Sequence, residues 1–380
     1  MKMKIGIICP YSINKHGGVL DVILHLKAGL KEKGHEVRII TPRPRGMEKA
    51  SDPDVIFVGV STDFRSPSHT TTQVSSNGDE DLIMEILERE KFDILHFHEP
   101  WVPLLSRQIL QLSNAVNVAT FHANVPETIM SRTVIKAVSP YLKSVMKYLD
   151  VLTAVSPAGA KYAQGISDKE ITIVPNGIDL DKYQFHSQLP KNDDEERLIL
   201  YVGRLERRKG VKYLVKAFSI FQQKHPNTRL IIAGDGPDRD KLELLAEDLK
   251  VNNVEFLGFI SEEKKKDLLQ QADIFCSPAV YGESFGIVLL EAIATGTVCV
   301  AGNNSGYMDV MKETGAISIV DPHSTEEFAR RLDLLSYDNN LRKLWKTWAR
   351  LYIKQFDYPK VVDMYEKVYV EALKNHAPKQ

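Results

Sequence analysis

The sequence predicts an α/β fold made of two halves, each a parallel sheet covered by helices. Three observations predict it. Short apolar runs alternate with longer amphipathic ones along the chain, as strands buried on both faces alternate with the helices that cover them. A length of 380 residues exceeds what one compact core normally spans. The alternation also stops once, at the polar and charged stretch Gln184–Arg197, which reads as the boundary between halves, and then starts again.

The first half predicts a strand over Lys4–Cys9, a loop with Gly17-Gly18, and a helix over about Val19–Lys33 that Gly34 ends. Further strands are expected at Glu36–Thr41, Val55–Val58 and, after a helical stretch at Asp81–Glu90, Ile94–Phe97. Val116–Thr120, Val151–Val155 and Ile171–Val174 continue the series, which closes at the turn Pro175-Asn176-Gly177. The second half predicts strands at Leu198–Val202, Arg229–Ala233, Val254–Leu257, Ile274–Ser277, Val298–Ala301 and Ile317–Val320. Helices alternate with them over Val211–Lys224, Arg239–Leu249, Ser261–Gln271 and about Gly286–Ala294. Thr325–Leu335, Asn340–Gln355 and Pro359–Lys374 are the last helices, and no short repeat or low-complexity segment interrupts the pattern.

Composition narrows the function classes. Hydrophobic residues make up 43% and charged residues 26%, as in an ordinary globular protein. Lys and Arg (49) nearly cancel Asp and Glu (50), and a net charge of −1 argues against a nucleic-acid partner, which calls for a basic face. The apolar run Ile5–Cys9 is too short for a signal-peptide core and stops at Pro10. No window approaches the roughly 18 consecutive apolar residues of a spanning helix. Cys9, Cys276 and Cys299 lie widely spaced in apolar runs, as buried reduced thiols do. The expected location is cytoplasmic, free or attached to the inner face of the membrane without crossing it.

Several segments carry chemistry. Gly17-Gly18 follows the first strand, where glycines and a helix N-terminus let backbone N–H groups approach an anion. GxGxxG and the P-loop pattern are both absent. His96 and His98 fall on one face of their strand and His122 ends the next, so a three-histidine zinc site, and with it a zinc-dependent hydrolase, is one reading; a ligand cleft without metal is the other. Gly203-Arg204 and Arg208-Lys209-Gly210 place cations at a strand-to-helix turn, suited to a diphosphate or simply solvated. Gly234-Asp235-Gly236-Pro237 is a second glycine turn, lining a nucleotide or merely tight. Glu283 precedes Ser284-Phe285-Gly286-Ile287, whose amides at a helix start suit an anion, and Glu291 lies on the apolar helix that follows, where a carboxylate needs a polar partner such as a ribose hydroxyl pair.

Taken together, these segments resemble the retaining glycosyltransferases of family 4, with the GT-B architecture. The resemblance covers almost the whole chain. It rests on Gly17-Gly18-Val19, on Val174-Pro175-Asn176-Gly177-Ile178-Asp179, on the Gly203-Arg204 and Arg208-Lys209-Gly210 pair, on Ala233–Pro237, and on the Glu283 to Glu291 spacing. Within the family, Cys9-Pro10-Tyr11-Ser12, Leu95–Pro100 and Ala119–His122 are most similar to the phosphatidylinositol mannosyltransferases. The resemblance implies two Rossmann-like domains whose parallel sheets face each other across a cleft. It sets an acceptor domain at 1–178, to which a C-terminal helix at 357–380 crosses back, and a nucleotide-sugar domain at 179–356. It implies a nucleotide-sugar donor, GDP-mannose favoured, and no required cofactor or metal ion. Arg204 and Lys209 are then expected on the donor diphosphate, Glu283 on sugar hydroxyls, Glu291 on the ribose and His122 beside the sugar. Gly18, Gly236, Ser284, Phe285, Gly286 and Ile287 would line the donor, while Tyr11 and Gly17 face the acceptor. With no nucleophile implied, the acceptor hydroxyl attacks on the face the diphosphate leaves, and the leaving phosphate takes its proton.

The acceptor is less defined. That branch carries a polybasic helix in its first domain, whereas the corresponding stretch here, Ser75–Lys91, is acidic, and Leu20 stands where the branch has Gln. A substitute is the segment Ile129–Tyr148, in which Arg132, Lys136, Lys143 and Lys147 mix with apolar residues; it suits an anionic membrane surface or packing on the domain. Transfer to a lipid such as phosphatidylinositol, transfer from a UDP-sugar to a soluble acceptor, and a zinc hydrolase or silent binding protein are the readings carried forward.

Overall fold

A computed structural model describes residues 1–14, 17–47, 50–65, 71–75, 78–102, 105–122, 139–186, 192 and 195–376, with backbone alone at 62–65, 71–75 and 162. The chain forms two compact units, Met1–Gly177 with Tyr358–Gln380, and Ile178–Asp357.

The first unit is an eight-stranded sheet. Its strands are β1 (Lys4–Ile8), β2 (Glu36–Arg43), β3 (Val55–Arg65), β4 (Thr71–Ser75), β5 (Ile94–His98), β6 (Val116–Phe121), β7 (Val151–Ala154) and β8 (Ile171–Ile173), in the order β4-β3-β2-β1-β5-β6-β7-β8. All pairings are parallel except β3 with β4. Alternation along β1 sends Ile5 and Ile7 to one face and Ile8 to the other. The first face is covered by α1 (Gly18–Glu32) and by the last helix, Tyr358–Asn375, which brings Val361, Val362, Tyr365 and Tyr369 into the same core. The two helices approach so closely at Gly29 that a Cβ there would lie 2.6 Å from Val362. The other face is covered by α2 (Glu80–Glu90), α3 (Leu105–Leu112), α4 (139–146) and α5 (Pro157–Gln164).

The second unit is a six-stranded, wholly parallel sheet. It holds β9 (Arg197–Val202), β10 (Thr228–Ala233), β11 (Val254–Gly258), β12 (Ile274–Ser277), β13 (Val298–Gly302) and β14 (Ile319–Val320), in the order β11-β10-β9-β12-β13-β14. Its helices are α6 (Val211–Lys224), α7 (Arg239–Asp248), α8 (Glu262–Gln271), α9 (Ile287–Thr295), α10 (Ser305–Val310), α11 (Thr325–Tyr337) and α12 (Asn339–Tyr352), so that the last helix of the chain is α13. In each sheet the strand order reverses at the first strand of the unit, at β1 beside β5 and at β9 beside β12. Such switch points open a crevice at the carboxyl ends of the strands, and ligands of open α/β sheets bind there.

The differences from the sequence expectations are local. The strand from Val55 runs on to Arg65 and turns back as β4, a hairpin that the polar run hid. α5 begins at Pro157, with Ser156 Oγ accepting the Gly159 N–H, and α10 is capped by Asn304. The strand expected over Ile317–Val320 is only Ile319–Val320, after a 3-10 turn at Glu313–Ser318. The polar stretch Gln184–Arg197 is not the boundary. The chain changes units after Gly177, and the His186 N–H already bonds the Thr295 carbonyl of the second unit.

Candidate functional site

At the switch point of the first unit, three histidines stand at the ends of β5 and β6. Thr153 Oγ1 donates to the Ala119 carbonyl at 3.0 Å, so its neighbour Thr120 Oγ1, 2.6 Å away, must donate to it. Thr120 in turn accepts from His96 Nε2–H at 2.6 Å and from the Tyr365 hydroxyl at 3.2 Å. That leaves His96 Nδ1 to accept from the Tyr369 hydroxyl at 2.7 Å. One end of this chain of donations fixes the tautomer at the other. His96 stacks on His98, with ring centroids 4.3 Å apart, and His98 Nδ1 shares a proton with His122 Nε2 at 2.8 Å. Burial pulls His96 down to about 3 and His122 to about 4, the latter opposed by the Asn176 side chain, and it lowers His98 as well. All three rings are therefore neutral at pH 7.

Glu99 locks the end of this cluster. It is buried, accepts the His122 backbone N–H on Oε1 at 2.8 Å, and holds a left-handed φ of 51°. That conformation costs a non-glycine residue about 1–2 kcal/mol. Tyr11 lies near it; burial, and then the charge of Glu99, raise its phenol above the ordinary value. Gly17 is extended and caps α1 without a side-chain hydrogen bond, and a Cβ on it would meet nothing within 4 Å. With Gly18 as the first residue of α1, the helix N-terminus stays open to an anion.

The site in the second unit is charged. The loops after β9 and β12 touch through the Val280 N–H and the Arg208 carbonyl at 2.8 Å. Gly210 makes that approach possible, because its φ is 70° and a Cβ would lie 2.1 Å from the Pro278 oxygen. Across this contact Glu283 Oε1 accepts from Arg208 Nη1 at 2.5 Å and from Lys209 Nζ at 2.8 Å, while Arg208 Nε pairs with Glu206 at 2.8 Å. Burial works against Arg208, but the charges of Glu283 and Glu206 raise it further. Arg204 is exposed and makes no ion pair with any described residue. Gly286, with a φ of 107°, caps α9 without a side-chain hydrogen bond, so the first amides of that helix face outward. Ser284 is half-buried, and the side chain of Phe285 packs edge-on against Phe356, with ring centroids 5.8 Å apart. Gly236 is pinned in the loop after β10, where a Cβ would lie 2.4 Å from the Leu205 oxygen.

Glu291 is buried on α9, as its apolar surroundings required, and it has the partner that burial called for. Its Oε1 accepts from Lys265 Nζ at 2.8 Å and from the Tyr183 hydroxyl at 3.2 Å. Its Oε2 is buried without a hydrogen-bond partner among the described residues. Burial raises its pKa, against the pull of Lys265.

The structure thus gathers Lys209 and Glu283 in one cluster, and places Tyr11 and His122 at one sheet end. It adds Arg208, Lys265, Tyr183 and Glu99. Arg208 was visible beside Lys209, but nothing in a run such as Glu262–Lys266 singles out Lys265 as the half-buried partner of Glu291. Two of the alternative readings meet the structure here. The three histidines do not converge on a metal position, because both nitrogens of His96 are engaged by Thr120 and Tyr369, and His98 bonds His122. In the described part of the Ile129–Tyr148 segment Leu142, Val145 and Met146 are buried, and Pro140, Lys143 and Lys147 are exposed. The apolar residues there serve the core while Lys143 and Lys147 stay at the surface; Arg132 and Lys136 lie outside the described residues.

Residues 16–182 match the family model "Glycosyltransferase Family 4", and residues 182–352 match "Glycosyl transferases group 1". The phosphatidyl-myo-inositol mannosyltransferase of Mycobacterium tuberculosis is 30% identical over 374 residues, spanning 97% of this chain and 96% of its own. The N-acetyl-alpha-D-glucosaminyl L-malate synthase of Bacillus anthracis is 27% identical over 398 residues, spanning 99% and 98%. A crystal structure of a glycosyltransferase from Rickettsia africae superposes with a TM-score of 0.75 at 21% identity, over 99% of this chain and 100% of its own.

Proposed function

The chain belongs to glycosyltransferase family 4 and has the GT-B fold, and from that premise we propose that it moves mannose from GDP-mannose, with retention, to a membrane-linked acceptor such as phosphatidylinositol. The observation that carries the transfer chemistry is the cluster of Arg208, Lys209 and Glu283 at the switch point of the second sheet. Lys209 has three N–H donors and gives one to Glu283, so it can also hold a phosphate oxygen. Arg204 brings a cation with no internal partner. Together with the open amides of α9 they neutralise charge as the diphosphate leaves, which is where fixed dipoles and charges lower a barrier most.

Glu283 orients sugar hydroxyls, and Glu291 offers Oε2 to the ribose. Gly18 sits at the open start of α1, while Tyr11 and Gly17 face the acceptor. His122 is a neutral imidazole, so its part is to orient hydroxyls rather than to act as a cationic acid. The leaving phosphate takes the acceptor proton, and no metal ion or other cofactor is needed. Preference for mannose and an inositol lipid rests on the 30% identity to a phosphatidyl-myo-inositol mannosyltransferase. We place the enzyme peripherally on the cytoplasmic face, where a lipid acceptor would be met; among the described residues no helix is long and apolar enough to cross a membrane.

A second reading, a UDP-sugar and a soluble acceptor, is favoured by the acidic α2 and by the likeness to the malate-linked synthase. The test is incubation with GDP-mannose or UDP-glucose in the presence of phosphatidylinositol vesicles or malate. Mannosylated lipid with the anomeric configuration of the donor is the expected product. Transfer from UDP-glucose to malate alone would replace this reading with the second, and inverted product would refute retention.

A further inference from the structure

We propose that the exposed face of α12 is a docking surface for an anionic lipid bilayer. From Asn339 to Phe356, α12 and the 3-10 turn that follows carry Arg342, Lys343, Lys346, Arg350 and Lys354 and no acidic residue. Trp345, Trp348 and Ala349 are buried in the second unit. The opposite face therefore presents Lys343, Leu344, Thr347, Arg350 and Leu351, with Lys354 one turn further on. Leu344 is 56% exposed and Leu351 is 66% exposed. Lys343, Arg350 and Lys354 make no ion pair with any described residue; Arg350 lies 5.9 Å from the ring of Phe185. The acids that meet the helix do so away from this stripe: Asp338 caps its start, Asp273 lies 3.9 Å from Arg342 and acts on Lys346, and Asp309 and Glu313 act on Tyr352.

A soluble surface intersperses both signs of charge, and a chain of net charge −1 has acids enough to do so. Here cations stand alone beside two leucines on one stripe. Phosphates attract such cations in a bilayer or in a nucleic acid alike, but only a bilayer also takes in aliphatic side chains at its headgroup boundary. No tryptophan is exposed on this face for stacking on bases, since both are buried. The acidic α2 of the first unit has the opposite sign and would be repelled by the same surface. The inference deepens the acceptor half of the function proposed above, because a lipid acceptor is met at such a surface. Its test does not pass through catalysis.

The test is co-sedimentation of the full chain with vesicles of phosphatidylcholine, and with vesicles of equal parts phosphatidylcholine and phosphatidylglycerol, at low and raised salt. The chain is expected to bind only the anionic vesicles, and less as salt rises. Lys343→Gln with Arg350→Gln should weaken that binding about thirtyfold. Leu344→Ser with Leu351→Ser should weaken it at both salt concentrations. Circular dichroism confirms that each variant is folded. Absence of binding by the unmodified chain, or binding unchanged in both paired variants, would overturn the proposal. So would binding of a DNA duplex through Lys343 and Arg350 without binding to vesicles. Failure of the transferase reading shows instead as lost nucleotide binding, which leaves vesicle binding unmoved.

Discussion

At the carboxyl end of the first sheet neutral polar groups bond mainly to one another, with His98 Nε2 buried without a hydrogen-bond partner among the described residues, whereas at the same end of the second sheet the groups with spare capacity are charged. His96 is closed on both nitrogens, by Thr120 and by Tyr369, and the neighbouring rings are buried and neutral. Lys209, by contrast, is half-buried with two donors to give, Arg204 is exposed, and Glu291 keeps one buried oxygen without a partner. The same topology therefore serves two ends. In the proposed reaction one sheet end is a neutral wall that orients, and the other is a charged cradle at the leaving group.

The sharpest way to break this contrast is to remove the cradle. Lys209→Ala and Glu283→Ala should each lower the rate of transfer by about a hundred- to a thousandfold, the first because it removes a preorganised cation at the leaving group, the second because it removes the carboxylate that orients the sugar hydroxyls and anchors Arg208 and Lys209. Unchanged melting by circular dichroism would show that the loss is chemical, and near-normal rates in either variant would end the contrast.

Acid should strike the first unit instead. His96 and His122 have folded-state values of about 3 and about 4, below the unfolded value of about 6.5. Below pH 6.5 the unfolded chain binds the extra protons, so stability is complete above that pH and is lost as pH falls toward 4 and then 3. Each ring should cost about 2 kcal/mol between pH 7 and pH 5. Hydrogen exchange followed by peptide should therefore open the first unit before the second as the pH is lowered.

Two smaller changes sharpen the comparison. Tyr369→Phe leaves His96 Nδ1 as a buried acceptor without its donor, at about 1–3 kcal/mol in a denaturant titration, and should not alter nucleotide affinity. Glu291→Gln keeps the shape and an acceptor for Lys265 but loses the charge, and should weaken nucleotide binding about tenfold with little effect on kcat.

How far all this was legible follows from where the signals are local. The buried strands were readable because both faces are apolar, as in Ile5–Ile8 and Val298–Ala301. The β3–β4 hairpin was not, since its residues carry no apolar alternation. Glu291 announced itself as a carboxylate on an apolar helix, yet Lys265 and Tyr183 come from elsewhere in the chain and carry no mark of it. The alternation of His96 and His98 placed both on one face, and their rings do stack. That the Ala119 carbonyl, through Thr153 and Thr120, fixes the tautomer of His96 and leaves Nδ1 to Tyr369 of the last helix depends on tertiary packing, which no spacing encodes. The left-handed turn at Glu99 is likewise a product of the assembled sheet end.

The measurement that tests the charged cradle most directly is calorimetric titration of the unmodified chain and of Lys209→Ala with GDP-mannose and UDP-glucose, without added metal. The account predicts one saturable site for GDP-mannose in the unmodified chain and binding at least about tenfold weaker in Lys209→Ala. Undiminished binding in the variant, or no binding of either nucleotide sugar by the unmodified chain, would contradict it.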